Sequence, residues 1–470
     1  MQHDTPPYLA QNAHQTTTNN PAMYWFRNDF RLTDNPALTL ACQQTLQQGK
    51  ALALVVCLPK DAPTRWGFSR LGQHRKVYLA DTLRELAAQC ELMGNRLIVV
   101  AGDPTVQLPA LMQRLNATTL YCEEIAAPEE IAEINLLRQQ TILVNGQQIT
   151  PKISTTWQSS LLDPSQLPFD IAQLPLVFSS FRTLVEKAGC IPPSPLPKIL
   201  QLPAMPAAAA LIESVNLQIW AGPVAIESRS AFPYQQAGAR AGEQHAQQHL
   251  QQYFQSGLAD HYKETRNGLI GFSYSTKFSP WLASGAISAR QIYQHLMAHE
   301  QRHGANDSTY WIWFELLWRD YFRLLHLRCG QLLYRAEGLN AEIPGRSAGA
   351  RANKSGKPPH TERFKQWCNA TTGQPLIDAG MRELQASGYL SNRMRQIVAS
   401  YLVNDLEGDW RAGAAWFEAQ LIDYDVYSNQ GNWLYLAGRG TDPRTNRRFN
   451  LQKQQQSYDP DHQYLRLWQQ

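Results

Sequence analysis

Residues 51–58 read Ala-Leu-Ala-Leu-Val-Val-Cys-Leu, an unbroken apolar run near the start of the chain. A short run without polar alternation is typical of a strand that is covered on both faces, as in a parallel sheet. Further apolar runs begin at Ala22, Leu97, Thr119 and Ile142, and helical stretches such as residues 70–93 separate them. This alternation predicts right-handed βαβ units and a parallel, doubly wound sheet over residues 22–150.

The rest of the chain changes character twice. Residues 151–240 are rich in proline and alanine and predict an irregular connector that lies on the surface. Residues 241–470 show helical periodicity and few strand signals, so we expect a large all-helical domain there. The polar residues 1–21 predict a disordered leader, with no signal-peptide core.

Several boundaries in the helical half can be placed from the sequence. A long helix is expected over 306–329, and two helices or one broken helix over 377–406. Asp409 is expected to cap a helix over 410–421. We expect residues 423–432 to form a tight polar loop and residues 438–470 to run over the surface.

Composition excludes several classes of protein. Hydrophobic residues make up 43% of the 470 residues, which suffices for a core without disulfide support. The seven cysteines are scattered and never form C-x-x-C, which argues against a disulfide framework or a zinc site. The apolar run over 51–58 is too short to cross a membrane. We therefore expect a cytoplasmic protein without membrane contact and without a bound metal.

Positive charge and tryptophan are concentrated in the second half. Residues 240–470 hold 26 of the 43 Lys and Arg residues against 21 of the 39 acidic ones, and nine of the 13 tryptophans lie at or after Trp281. A basic half is compatible with an anionic partner, although many basic enzymes bind no nucleic acid. The tryptophans are typical either of a site for a planar ligand or of a large core.

Polar residues interrupt the apolar pattern of the helical half in four segments. Ser275, Thr276 and Ser279 are expected to open a helix, whose N–H groups suit a pyrophosphate or are simply capped by the hydroxyls. Glu315, Trp318 and Arg319 fall at i, i+3 and i+4, so they share one helix face. They either pair with one another or line a pocket.

The other two segments carry amides, arginines and carboxylates. Asn392, Arg395 and Gln396 share a helix face, while Arg393 is expected to point towards an anion at the pocket mouth. The acidic segment 423–429 lacks the glycine and glutamate of an EF-hand, so calcium binding is weakly supported. Its carboxylates could instead accept hydrogen bonds from sugar hydroxyls or ring N–H groups, or pair with Arg395.

At this point the sequence resembles the photolyase/cryptochrome family, and within it the cryptochrome DASH branch. The resemblance covers roughly residues 22–460 and rests on long motifs in family order. These are YWFRNDFRLTDNPAL over 24–38, LPFD over 167–170, VFSSFR over 177–182, YKETRNG over 262–268, STKFSPWL over 275–282, ELLWRD over 315–320, SNR over 391–393 and LIDYDV over 421–426.

The resemblance implies an FAD held inside the helical domain. The cofactor-binding residues that it implies are Tyr262, Ser275, Thr276, Lys277, Phe278, Ser279, Arg319, Asn392, Arg395, Asp423, Asp425 and Asn429. Asn429 matches the asparagine beside flavin N5, whose amide favours the reduced anionic flavin. The electron chemistry belongs to the cofactor, and the protein holds it and tunes its charge.

The resemblance also implies a DNA substrate, a cyclobutane pyrimidine dimer flipped into the pocket. Glu315, with Asn392 and Asn429, then serves catalysis, and Arg266, Trp318, Arg393, Gln396 and Tyr435 contact DNA. Tyr435 stands where duplex-repairing photolyases carry a tryptophan. A weaker stacking wall cannot offset the cost of unpairing a duplex, so we expect a preference for single-stranded DNA and a monomeric protein.

Electron supply and light harvesting complete the implied machinery. Trp433 and Trp410 match the first two links of the family's tryptophan chain. The third link would fall near Lys357, and residues 344–364 contain no Trp or Tyr. Glu124 matches the acid that binds a methenyltetrahydrofolate antenna in relatives, although a solvated helix start would also explain it.

These residues favour a blue-light-driven DNA lyase. The family also contains blue-light photoreceptors with little repair activity, so signalling is the alternative function. A flavoprotein that binds nucleic acid without photochemistry is a third reading, but it gives Trp433 and Trp410 no role.

Overall fold

The computed structural model describes residues 20–59, 61–340, 362–441 and 447–469. Its first part contains seven strands among the described residues. They are β1 (Ala22–Phe26), β2 (Leu52–Leu58), β3 (Leu97–Ala101), β4 (Thr119–Glu123), β5 (Ile142–Val144), β6 (Gln147–Ile149) and β7 (Lys152–Thr156). Four helices lie between these strands, namely α1 (Pro36–Gln47), α2 (Gln73–Leu92), α3 (Pro104–Leu115) and α4 (Pro128–Gln139).

The main sheet has five parallel strands in the order β3-β2-β1-β4-β7. Residues of β1 alternate between two cores, because successive side chains point to opposite faces. Tyr24 and Phe26 pack with residues of α1 and α2, while Met23 and Trp25 pack with residues of α3 and α4. Burial on both faces explains the unbroken apolar runs, and the predicted doubly wound sheet is confirmed.

The strand expected at Ile142 belongs to a different sheet. β5 pairs antiparallel with β6 in a two-stranded hairpin, because Asn145 and Gly146 adopt positive φ values of 49° and 79° and turn the chain back. The fifth position in the main sheet is taken by β7. The sheet therefore extends past residue 150, where we expected an irregular connector to begin.

From residue 157 the described chain is largely irregular up to residue 242, apart from a few short helices, and it is mostly helical beyond, as predicted for residues 241–470. Its helices are α5 (Phe178–Lys187), α6 (Leu217–Ala221), α7 (Glu243–Gln255), α8 (Tyr262–Thr265), α9 (Ser279–Ser284), α10 (Ala289–His303), α11 (Asp307–Cys329), α12 (Glu362–Cys368), α13 (Pro375–Ser387), α14 (Asn392–Asn404), α15 (Trp410–Gln420), α16 (Val426–Leu436), α17 (Leu451–Tyr458) and α18 (Gln463–Trp468). In the described residues, no helix is long and apolar enough to cross a membrane.

Capping residues set the boundaries of the site helices. Asn306 caps α11 by accepting from the N–H groups of Ser308 and Thr309, and Asp409 caps α15 as expected. The expected polar loop over 423–432 is wrong for most of its length. Asp425 accepts from the Ser428 N–H and starts α16 at Val426.

The last part of the chain also differs from the expectation. Residues 438–470 were expected to run over the surface, but α18 buries Tyr464, Leu465 and Trp468 against the helical core. This stretch has a polar composition, but Tyr464 and Leu465 lie one turn before Trp468 on a short helix, so all three share one buried face. The tail is therefore part of the folded domain.

Two helical glycines allow α16 to approach its neighbours closely. A Cβ at Gly431 would overlap the Phe322 ring of α11, and one at Gly413 of α15 would overlap the Trp433 ring. No larger residue fits these positions without displacing an aromatic side chain.

We expect Gly431→Ala to destabilise the protein. At an open helix position alanine would stabilise by about 1 kcal/mol, but the overlap with Phe322 costs about 1–3 kcal/mol and reverses the sign. The midpoint of thermal unfolding should fall, whereas the neighbouring exposed position, changed as Asn432→Ala, should leave it nearly unchanged. A stability gain from Gly431→Ala would contradict the close approach of α16 and α11.

Candidate functional site

The three polar residues on the face of α11 each contact a different neighbour. The Glu315 carboxylate accepts a hydrogen bond from Arg266, and the Trp318 ring stacks on Phe178 with ring centroids 3.7 Å apart. Arg319 donates to the backbone carbonyl of Ser159 over 2.9 Å. Within the described residues no hydrogen bond joins the three to one another, so the pocket-lining interpretation is favoured over mutual pairing.

Two buried ion pairs tie α11 and α14 to the segment before α16. Arg395 donates to Asp423 over 2.8 Å, as one of the open interpretations had it. Arg323 donates to Asp425 over 2.6 Å. Burial alone would raise the pKa of Asp425, but Arg323 and Arg319 lower it to about 2. The Asp425 carboxylate therefore stays ionised.

Arg323 was missed by the sequence reasoning, although it lies one turn after Arg319 on α11. Burial, with the positive charge of Arg323 added to it, lowers the pKa of Arg319 to about 9. Arg323, Arg31, Asp425 and Asp320 all act on the Arg319 guanidinium, so this cluster holds three arginines and two carboxylates. An excess of buried positive charge calls for an anion, and a phosphate group would supply one.

One buried carboxylate oxygen of the site lacks a hydrogen-bond donor among the described residues. The Oδ1 atom of Asp423 is buried and has no hydrogen-bond partner among the described residues. The side-chain N–H of Asn429 donates to the carbonyl of Ala414 over 3.0 Å, which fixes its amide on α16. A buried carboxylate oxygen without a donor fits a ligand that brings its own N–H or O–H group.

The loop before α9 differs from the predicted helix opening. The helix begins only at Ser279 and has six residues, so Ser275, Thr276 and Lys277 lie in the preceding loop. The Thr276 carbonyl accepts from Nε2 of His249 over 2.8 Å, which turns it inward. Because burial lowers the pKa of His249, this ring stays neutral with its proton on Nε2.

The flanking aromatic residues of this loop are buried. Tyr262 and Phe278 expose 8% and 3% of their surfaces, so their rings serve mainly as packing. The Lys277 side chain is buried as well, at 2% exposure. A pyrophosphate contact from this loop must therefore come from its backbone N–H groups or from Ser275, Thr276 and Ser279.

On α14 the predicted residues divide between two directions. Arg395 turns inward to Asp423, whereas Arg393 donates to Asn267 over 2.8 Å and to Gln396 over 2.9 Å. Asn392 is exposed at the first turn. Arg393 thus extends towards the segment that carries Arg266.

The two predicted electron-transfer residues lie on facing helices. Trp433 is 1% exposed, and its ring centroid is 5.1 Å from Phe417 and 6.5 Å from Trp367. Trp410 shares the face of α15 that carries Gly413 and Phe417, and its Nε1 donates to the Ala336 carbonyl over 3.2 Å. Lys357, near which the third link would fall, lies outside the described residues.

Tyr435 and Glu124 occupy two other edges of the site. The Tyr435 ring meets Trp318 at 5.6 Å and 74°, with the Arg447 guanidinium 4.0 Å from its centroid. Glu124 follows β4, where its backbone N–H donates to the Thr156 carbonyl over 2.8 Å. Glu124 is thus at the carboxyl end of β4, a strand that pairs with β7 on one side and borders the strand-order reversal next to β1 on the other.

The described residues contain no group of three or more His, Cys, Asp or Glu side chains that could hold a metal ion. The carboxylates of the acidic segment are bound to Arg395 and Arg323 instead. Calcium binding by this segment, which the sequence supported only weakly, has no support from the geometry.

Known proteins match both parts of the chain. The family model described as DNA photolyase matches residues 22–200, and the one described as the FAD binding domain of DNA photolyase matches residues 311–469. Cryptochrome DASH of Synechocystis is 41% identical over 458 residues, covering 95% of this chain and 86% of that protein. Cryptochrome DASH of Vibrio parahaemolyticus is 41% identical over 454 residues, covering 95% and 93%.

Solved structures agree with these matches. A Synechocystis cryptochrome superposes with a TM-score of 0.85 at 37% identity, covering 96% of this chain and 88% of that one. A class III photolyase from Agrobacterium tumefaciens superposes with a TM-score of 0.74 at 26% identity, covering 97% and 88%. The chain therefore belongs to the cryptochrome DASH branch of the photolyase/cryptochrome family, as a blue-light flavoprotein with an FAD-binding domain.

Proposed function

We propose that this protein repairs cyclobutane pyrimidine dimers in single-stranded DNA, using blue light and reduced FAD. The observation that supports this most is the shared placement of two residue sets. On α11, α14 and α16, the residues assigned to the flavin lie within one or two turns of those assigned to DNA, as Arg319 does to Glu315 and Asn429 to Tyr435. A donor and an acceptor held by the same helices stay at a fixed separation.

The residues present fit FAD. Arg319 stands in an excess of buried positive charge that suits its phosphates, and Asp423 offers a buried oxygen without a donor. Arg395, Asp425, Asn392 and Asn429 complete the polar lining that we assign to the ring and its ribityl chain. Bound FAD would supply the light absorption and the transferred electron.

The loop over 275–279, with Tyr262, is assigned to the pyrophosphate. Ser275, Thr276 and Ser279 supply hydroxyls there, and the neutral His249 holds the loop from behind through the Thr276 carbonyl. This fixed backbone can present its N–H groups without reorganising when the anion binds.

Glu315 is the residue that we assign to the dimer. Its carboxylate is 35% exposed and faces the open side of α11, so it can hydrogen-bond a base carbonyl when protonated or a ring N–H when ionised. Arg266 holds this carboxylate in place and carries a charge that attracts the DNA backbone. Trp318, braced by Phe178, offers its other face to a flipped base.

Tyr435 is assigned to substrate choice. Its ring contacts Trp318 edge-on and gives less stacking area than a tryptophan would. Unpairing a duplex costs a few kcal/mol, whereas a single strand has little to unpair. Arg393 and Gln396, joined by a hydrogen bond, would contact the strand beside the lesion.

Trp410 and Trp433 are assigned to electron supply. Trp433 is buried between α15 and α16, where its ring packs against Gly413, and Trp410 lies one turn before Gly413 on α15.

Glu124 is assigned to a methenyltetrahydrofolate antenna. Its support is its place at the carboxyl end of β4, one of the two strands that border the strand-order reversal, where open parallel sheets bind ligands. The hydroxyl of Tyr427 on α16 accepts a hydrogen bond from the Ala126 N–H over 2.8 Å, so the end of β4 faces the helical part of the protein.

We further propose that the protein acts as a cytoplasmic monomer.

We expect Glu315→Gln to lower the rate of dimer repair about 10- to 100-fold while FAD stays bound, because a charged hydrogen-bond partner contributes about 1.5–3 kcal/mol. Repair of a thymine dimer in a single-stranded oligonucleotide, with flavin absorbance as the loading control, measures this. The matched variant Glu300→Gln, on α10, should repair at the unmodified rate. Unchanged repair by Glu315→Gln would remove Glu315 from the site.

We expect the unmodified, reduced protein to repair the single strand and to leave the matched duplex largely unrepaired. Tyr435→Trp should raise duplex repair about fivefold to tenfold, since extra stacking contributes about 1 kcal/mol or more per base. The comparison uses both oligonucleotides under blue light and in the dark.

Equal repair of both substrates by the unmodified protein would contradict the role of Tyr435. No repair of either substrate by the FAD-loaded protein would favour the alternative, a blue-light photoreceptor with little repair activity.

A further inference from the structure

The two predicted electron-transfer residues do not by themselves lead to solvent. Trp433 and Trp410 are both buried, and no ring contact joins Trp410 to another aromatic side chain among the described residues. Residues 341–361 contain no Trp or Tyr that could continue a path from Trp410. A positive charge left on Trp433 therefore needs another route to the surface, because an unpaired charge is costly to keep in the core.

Trp367 of α12 contacts Trp433 directly. The two ring centroids lie 6.5 Å apart at an angle of 76°. Phe417 packs against both rings, 5.1 Å from Trp433 and 6.2 Å from Trp367. Trp367 is fully buried, and its Nε1 donates a hydrogen bond to the Val398 carbonyl over 3.0 Å. The carbonyl oxygen stabilises a positive charge on the indole without removing its proton, so Trp367 is suited to hold and pass on such a charge.

A row of packed rings leads from Trp367 to Trp416 of α15. Phe364 stacks on Trp367 with ring centroids 5.9 Å apart. Phe68 lies 6.5 Å from Phe364 and 5.0 Å from Trp416, again between ring centroids. Phenylalanine is too hard to oxidise to carry the charge itself, so its rings act as the close-packed medium between the two indoles.

Two features of Trp416 suit it to the end of this row. Its Nε1 is buried and has no hydrogen-bond partner among the described residues, so no acceptor stands there to take the proton of an oxidised indole. Its ring as a whole is partly exposed, whereas Trp433 and Trp367 are buried. Water stabilises a positive charge better at Trp416, and the charge is therefore driven outward from the interior.

We propose that Trp433, Trp367 and Trp416 form the electron path to solvent, in place of the tryptophan that residues 344–364 lack. This inference rests on the proposed function, in which Trp433 gives an electron to light-excited FAD. Trp433 regains its electron from Trp367, and Trp367 regains its own from Trp416. A soluble thiol then gives one electron to the oxidised Trp416 and one proton to water, and becomes a thiyl radical. Trp410 is a side branch that returns its charge to Trp433.

The test is photoreduction of the FAD-loaded, full-length protein under blue light with a soluble thiol, followed by flavin absorbance. We expect Trp367→Phe and Trp416→Phe each to slow it at least about tenfold, because oxidising phenylalanine adds more than the ~1.4 kcal/mol that a tenfold change represents. The matched control Trp468→Phe alters a buried tryptophan of α18 outside this row and should photoreduce at the unmodified rate. Flavin absorbance before illumination measures the loading of each variant.

A second readout identifies the residue that holds the charge. After illumination in air without thiol, peptide mass spectrometry of the unmodified protein should find oxidised tryptophan mainly at position 416, and little in the dark. Trp367→Phe should lose this oxidation while FAD stays bound, because the row is interrupted before Trp416. A structural defect at Trp416 alone would not produce this dependence on Trp367.

The outcomes separate this inference from the proposed function. Oxidation at Trp410 instead of Trp416, an unmodified photoreduction rate in Trp416→Phe, or no photoreduction of the unmodified protein would each overturn the path. Dimer repair by chemically reduced protein needs no such path and is judged by itself. If the path is confirmed but the chemically reduced protein repairs no dimer, the path stands and the repair proposal falls. If Trp367→Phe does not fold, Trp416→Phe, at a partly exposed position, still decides.

Discussion

The buried ion pair between Arg323 and Asp425 is the interaction on which the site most depends. Asp425 both pairs with α11 and caps α16 through the Ser428 N–H. The charge of Arg323 offsets the desolvation of the carboxylate, so the cap can lie in the interior. The register of α16, and with it the placement of Asn429 and Tyr435, is set by this one carboxylate.

Helices α11 and α16 also join the sheet domain to the helical core. Asp320 of α11 accepts from the backbone N–H groups of Leu161 and Leu162, which follow β7. Tyr427 of α16 accepts the Ala126 N–H beyond β4. These contacts satisfy backbone groups that burial would otherwise leave unpaired. The crevice at the strand-order reversal is thus held at a fixed position relative to the flavin helices.

Capping residues and apolar runs predicted those helices and strands whose positions depend on neighbouring residues in the sequence. The cap at Asp409 placed the start of α15, and the apolar runs placed the central strands. The fifth strand was misplaced because the Asn145-Gly146 turn signal was overlooked. The predicted loop over 423–432 is too long, because the Asp425 cap lies in a polar stretch that resembles a loop. The sequence does not predict α18, because the stretch around it is polar.

For the site, the sequence left open whether the acidic segment binds a ligand or pairs with Arg395, and the structure shows the pair between Arg395 and Asp423. Arg323 lies outside the quoted motifs, and only its approach to Asp425 in space identifies it. The resemblance implies that Lys277 contacts the cofactor, yet its backbone has a positive φ and its side chain is buried in the core. Backbone handedness at one residue cannot be read from residue type when the residue is not glycine.

The balance of buried charges around the flavin helices limits which ligands the site can bind. Asp423 and Asp425 each pair with an arginine, and the surplus is positive at Arg319. A further anionic side chain there would have neutralised the surplus and removed the attraction for a phosphate. The protein instead leaves one cation to be matched by a ligand, because an unpaired buried charge favours whatever completes it. Affinity for an anionic cofactor is therefore stored in the folded chain as an incomplete ion-pair network.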